Sequence, residues 1–150
     1  MSLFQIDPES TKSPYLPHAG RYGAGAQHGG NVSLTNFVVS CREDEKAKGP
    51  GLDRECADDD YSRFVFEVLH EDFGKVSLFV WQPHKANSGS KLLPWLKNLG
   101  YPVTPAGEFD PDQVKASLPR DCIIEVKAPR PNNAEPGRFW NGDVIGVFGL

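Results

Sequence analysis

Period-two alternation between residues 61 and 81 dominates the hydrophobic pattern of the chain. The run Y-S-R-F-V-F-E-V-L-H is followed by E-D-F-G and then by K-V-S-L-F-V-W. Two stretches rich in β-branched and aromatic residues around a short turn with Gly74 predict a β-hairpin. Phe64, Phe66 and Val68 share one face of its first strand, and Arg63, Val65, Glu67 and Leu69 share the other. On the second strand Val76, Leu78 and Val80 face one way, and Lys75, Ser77, Phe79 and Trp81 the other. One face suits a core. The opposite face mixes charge with aromatic rings and suits a working surface.

The same reading places the remaining elements. N-V-S-L-T-N-F-V-V-S-C at 31–41 predicts a strand that begins in alternation and turns wholly apolar at Phe37-Val38-Val39. Ser90 reads as the cap of a helix over 91–99, with Gly100 as its stop and Leu92, Trp95, Leu96 and Leu99 as its buried stripe. Asp110-Pro111-Asp112-Gln113 opens a second, short helix ending near Ser117. Strands are predicted at 121–128, with Cys122, Ile124 and Val126 on one face, and at 143–149. Residues 1–30, rich in Pro and Gly, read as an irregular N-terminal arm with a short edge strand near Arg21 and Tyr22. Residues 31–150 then form a single domain.

Two loops are conspicuous. Residues 42–60 hold eight acids and four bases around Gly49-Pro50-Gly51. A connection this long in a small domain is functional or disordered. Asp58-Asp59-Asp60 lacks the alternate spacing and turn glycine of a calcium loop, so the stretch reads as solvated. The other loop, P-R-P-N-N-A-E-P-G-R-F-W-N-G, fills 129–142.

Composition narrows the class. The net charge is −4, which argues against a whole-chain footprint for duplex DNA but leaves room for a local basic groove. Cys41, Cys56 and Cys122 form no C-x-x-C, and their odd number argues for reduced thiols in a cytoplasmic setting. No stretch is apolar enough to span a membrane, and the N-terminus lacks the form of a secretion signal. No metal or cofactor site is expected.

Five strands with a helix between the third and fourth is the element order of a small, mainly β, five-stranded Greek-key barrel, the OB-fold. That order, with Y-S-R-F-V-F-E-V into K-V-S-L-F-V-W, S-K-L-L-P-W-L-K-N-L-G, and D-C-I-I-E-V-K-A leading to F-W-N-G-D-V-I-G-V-F-G, resembles phage-encoded single-stranded-DNA-binding proteins of the OB type. The resemblance covers residues 31–149. It implies protection of single strands in replication or recombination, with homo-oligomers and replication or recombination proteins as possible partners. The chain departs from many of those proteins in stopping at Phe148-Gly149-Leu150 rather than in an acidic tail.

Binding a single strand without sequence preference needs cations along the phosphate path and flat rings for the bases. The loop after the fourth strand supplies Lys127, Arg130 and Arg138 for phosphates, and Phe139 and Trp140 for stacking. Arg63, Lys75, Phe79 and Trp81 extend that surface across the hairpin. The alternative for these rings is barrel-end packing. Two other functional classes compete. Pro111-Asp112 with Glu125-Val126-Lys127 spells PD…ExK, the pattern of metal-dependent nucleases, although Asp112 falls at a helix start rather than on a strand. A structural or protein-interaction module, such as a virion component, also suits the loop-rich composition. His18, His28, His70 and His84 sit in no triad context and read as surface residues.

Overall fold

The computed structural model describes residues 15–41, 60–84, 90–132, 134 and 138–150. The acidic stretch 42–59 with Cys56, the first half of the N-terminal arm and most of the loop after Pro83 lie outside the described residues.

The chain is mainly β. Its strands are β1 (Gly20–Tyr22), β2 (Asn31–Cys41), β3 (Asp60–His70), β4 (Gly74–Pro83), β5 (Arg120–Val126), β6 (Arg130–Pro131), β7 (Phe139–Trp140) and β8 (Val144–Gly149). Two short helices, α1 (Leu92–Asn98) and α2 (Pro111–Ala116), lie between β4 and β5 in the chain. Six strands make one antiparallel sheet that curls into a half-barrel. Its long strands run side by side in the order β4, β3, β2, β5, β8. Among the described residues the sheet therefore ends in two edges, β4 and β8, that do not pair with each other. β6 and β7 form a separate two-stranded ribbon.

The hairpin expected from alternation is present. β3 and β4 stay in register from Tyr61↔Pro83 to His70↔Gly74. Phe64, Phe66, Val68 and Val76 are fully buried beneath it. Burying a side chain of this size contributes roughly 1.5–3 kcal/mol relative to leaving it exposed. β2 shows why its apolar run does not alternate simply. Val32 and Leu34 point inward, but the register with β3 shifts between Leu34 and Asn36, and Phe37 is the next residue to be buried. The extra residue, Thr35, donates its hydroxyl to the Val65 carbonyl at 3.1 Å. Such a bulge flips the inward face from even to odd positions.

β1 and β2 lie end to end along one edge of β5, while β8 takes the other. The loop between them tucks in at Gly23, where a Cβ would stand 2.9 Å from the Cys122 carbonyl oxygen. The described half of the arm is thus built into the body. Leu16 and Tyr22 are core residues at 1% and 0% exposure. On β5, Cys122, Ile124 and Val126 are buried as their alternation predicts. Burial pushes the Cys122 thiol up to about 12, so it stays protonated at neutral pH.

α1 packs on β8 and turns its apolar stripe into the core. Leu92, Trp95, Leu96 and Leu99 are buried, and the Trp95 ring meets Phe64 edge-on at 5.5 Å. The helix starts one residue later than the sequence suggests, yet the Ser90 hydroxyl still accepts the Leu92 N–H. At its far end the Tyr101 N–H reaches the Leu96 carbonyl, and Gly100 adopts φ +87°. Asn98 Nδ2 donates to the Val147 carbonyl at 3.0 Å, and Lys91 Nζ to the Ile145 carbonyl at 3.3 Å. Two carbonyls of the β8 edge are therefore taken by side chains of α1 and its N-cap residue, which blunts that edge against pairing. α2 packs on β2 and buries Val114, with Asp110 accepting the Asp112 N–H as the expected cap. Among the described residues no helix is long and apolar enough to cross a membrane.

Candidate nucleic-acid interface

An open cleft of about 1100 Å³ lies along the seam that the sheet leaves unpaired. One wall is the outer edge of β4. The other is the β6–β7 ribbon together with the start of β8. Eight of the nine residues expected from sequence line it, four from the hairpin or β5 side and four from the ribbon. Lys75, Phe79, Trp81 and Lys127 form the first group; Arg130, Arg138, Phe139 and Trp140 form the second.

The hairpin wall follows from alternation. With Val76 and Leu78 turned inward, Lys75, Ser77, Phe79 and Trp81 must turn outward. Phe79 is 64% exposed, a large apolar ring with no core to enter. Trp81 is half-buried, and the Arg63 guanidinium carbon lies 5.5 Å from its ring centroid. Arg63, directly opposite Trp81 in register, is the one expected residue that does not line the cleft. It backs Trp81 instead. Its Nε is buried without a hydrogen-bond partner among the described residues. Lys75 pairs with Glu67 at 3.3 Å.

The ribbon wall comes from a segment that reads as plain loop in the sequence. Arg130 pairs with Trp140 and Pro131 with Phe139, and the Asn132 N–H reaches the Arg138 carbonyl. Its base is tight. The Lys127 N–H donates to the Asp143 carbonyl, and a Cβ on buried Gly142 would stand 1.9 Å from the Lys127 oxygen. Only glycine lets the two backbones meet there. Trp140 is 59% exposed. Phe139 stacks on Tyr15 with centroids 5.0 Å apart, so one of its faces is covered. Arg130 Nη2 lies 3.9 Å from Asp143 Oδ1 in an exposed pair.

The structure adds residues that the sequence does not flag. Lys91, read there as a helix residue, lines the cleft and bridges its base: its N–H donates to Gln82 Oε1 and its Nζ to the Ile145 carbonyl. Asn141 lines it too. No local pattern marks either residue, because their place depends on how β4 and β8 are spaced. Among the described residues the cleft lining thus has five cationic side chains, Lys75, Lys91, Lys127, Arg130 and Arg138, and one carboxylate, Asp143.

Elsewhere, all four histidines make specific contacts, and His84 Nε2 lies 2.8 Å from the hydroxyl of buried Ser62. His18 stacks on His28 at 5.3 Å, and His70 on Phe73 at 4.3 Å, with Tyr22 between His28 and His70. His70 Nε2 is 2.7 Å from the His28 carbonyl while its Nδ1 accepts the Asp72 N–H. These contacts knit the β1–β2 loop to the hairpin turn. Of the PD…ExK residues, Asp112 lies at the exposed start of α2 and Glu125 pairs with Arg21 at 3.1 Å. Among the described residues no three His, Cys, Asp or Glu side chains are grouped to hold a metal ion.

Compared with known proteins, the chain matches no family model, no curated protein and no solved structure.

Proposed function

We propose that this chain binds single-stranded DNA in the β4–ribbon cleft, by base stacking and phosphate contacts without strong sequence preference. The observation that carries the reading is the cleft's composition. In a chain of net charge −4, five cations and one carboxylate among the described residues share a groove with exposed Phe79 and Trp140. Cations along a groove with flat rings is what sequence-tolerant single-strand binding requires. Stacking contributes about 1–3 kcal/mol per base.

The half-barrel supports an OB-type reading. Among the four strands β2, β3, β4 and β5, the spatial order β5-β2-β3-β4 puts the fourth beside the first, which is the Greek-key order. The cleft then uses the outer face of the hairpin and the loop after the fourth long strand, as ligand surfaces of OB domains do. A role in guarding single strands during replication or recombination follows from the resemblance.

One observation favours a second reading. β4 is an end strand whose outer edge opens into the cleft, so an extended peptide there would add a strand to the sheet. Intrinsic tryptophan fluorescence separates the two. Oligo-dT stacking on Trp140 quenches emission in the wild type and not in Trp140→Phe. Unchanged emission at low salt would remove the single-strand reading and leave peptide capture.

A further inference from the structure

The segment before β1 touches the ribbon twice. Tyr15 stacks on Phe139, with an interplanar angle of 26°. The N–H of the next residue, Leu16, donates to Asn141 Oδ1 at 2.9 Å, although the two residues are 125 positions apart. Leu16 itself is 1% exposed, so this short segment is nailed to the core on one side and holds the ribbon on the other. Among the described residues, the ribbon's own strands supply little burial. Its four paired residues are all exposed, and it forms two cross-strand pairs. Asn141 lies between Trp140 and the tight Gly142 base.

We infer that Tyr15 and Asn141 form a strap that sets the ribbon's orientation over the cleft, which makes Tyr15 a positioning residue for Trp140 and Arg130. The inference rests on the single-strand reading for its consequence, not for its geometry. With the strap in place, the stacking ring and the phosphate-binding guanidinium face β4 before ligand arrives. Without it, ordering the ribbon is charged against every binding event, which lowers affinity without removing a contact. Phe139, with one face on Tyr15, serves the ribbon's placement, and Trp140 is left as its base platform.

The test uses the full chain and two readouts. Trypsin can cut between Arg138 and Phe139 in the ribbon, whereas Arg130 is protected by the proline that follows it. Tyr15→Ala is expected to speed cleavage after Arg138 several-fold relative to wild type, and to weaken labelled oligo-dT binding about 3- to 10-fold. Tyr15→Phe keeps the ring and should restore both values. Asn141→Ala removes the second tie without touching the core, and moves both readouts the same way should Tyr15→Ala fold poorly. Cleavage after Arg138 at the wild-type rate in folded Tyr15→Ala or Asn141→Ala overturns the strap. Faster cleavage with wild-type affinity overturns its role in binding. If the wild type itself fails to bind oligo-dT, the single-strand reading falls, and the strap stands or falls on cleavage alone.

Discussion

The wall built by β3 and β4 and the wall built by β6 and β7 both bring aromatic rings and cations to the cleft, but they are held by different means. The hairpin wall has ten cross-strand pairs and a buried inner face of Phe64, Phe66, Val68 and Val76. Its outward rings are a by-product of a strand pair that the core already fixes. The ribbon wall has two cross-strand pairs and no buried side chain in them. Its described contacts include the Gly142 approach, the Lys127–Asp143 backbone bond, the Tyr15–Phe139 stack and the Leu16–Asn141 hydrogen bond. The difference separates two costs. On the hairpin, the core face and the cleft face are opposite, so folding and the proposed binding can be changed one at a time. On the ribbon, a handful of contacts holds the wall in place, so under the proposed binding a small change at its base should reach the ligand.

Substitutions can break this contrast, beginning with the largest effect. Phe66→Ala removes a fully buried ring beneath the hairpin and should cost about 3–5 kcal/mol in urea denaturation. A value near zero would mean that the hairpin is not core-backed. Gly142→Ala drives a methyl group into the Lys127 carbonyl at the ribbon's base. It should cost on the order of 1–3 kcal/mol of stability, because a crowded backbone must move. Oligo-dT affinity should fall with it, which a binding isotherm on the folded variant will show.

Single rings make the finer comparison. Trp140→Ala and Phe79→Ala should each weaken oligo-dT binding by about 1–3 kcal/mol. Both side chains are well exposed, so the melting curve should stay within about 0.5 kcal/mol of wild type. Asp143→Asn is the mildest change. It frees Arg130 from an exposed pair worth less than about 1 kcal/mol. Low-salt affinity should rise about two- to threefold, and the gain should vanish in an Arg130→Ala background.

The hairpin was readable because period two is a local signal, and its in-and-out assignment holds from Arg63 to Trp81. Strand alternation likewise places Cys122 in the core, and the helical stripe places Trp95 there. Alternation missed the bulge at Thr35, because one inserted residue leaves the apolar run unbroken while reversing its face. It also missed the ribbon. Two-residue strands carry no period, and Pro131 argues against a strand in any local reading. Of the nine expected site residues, eight share one cleft because the hairpin and the loop after β5 border the same open seam. Arg63 sits one strand back from that seam. Lys91 and Tyr15 had no sequence signal at all. Their roles come from contacts with Ile145 and Phe139, far away in the chain.

The most direct measurement is the anisotropy of a labelled ~30-nucleotide oligo-dT titrated with protein, at low salt and again near ~0.3 M. The account predicts binding that weakens steeply with salt and falls in both Trp140→Ala and Arg138→Ala. An absence of binding at low salt, or binding that neither variant alters, would contradict it.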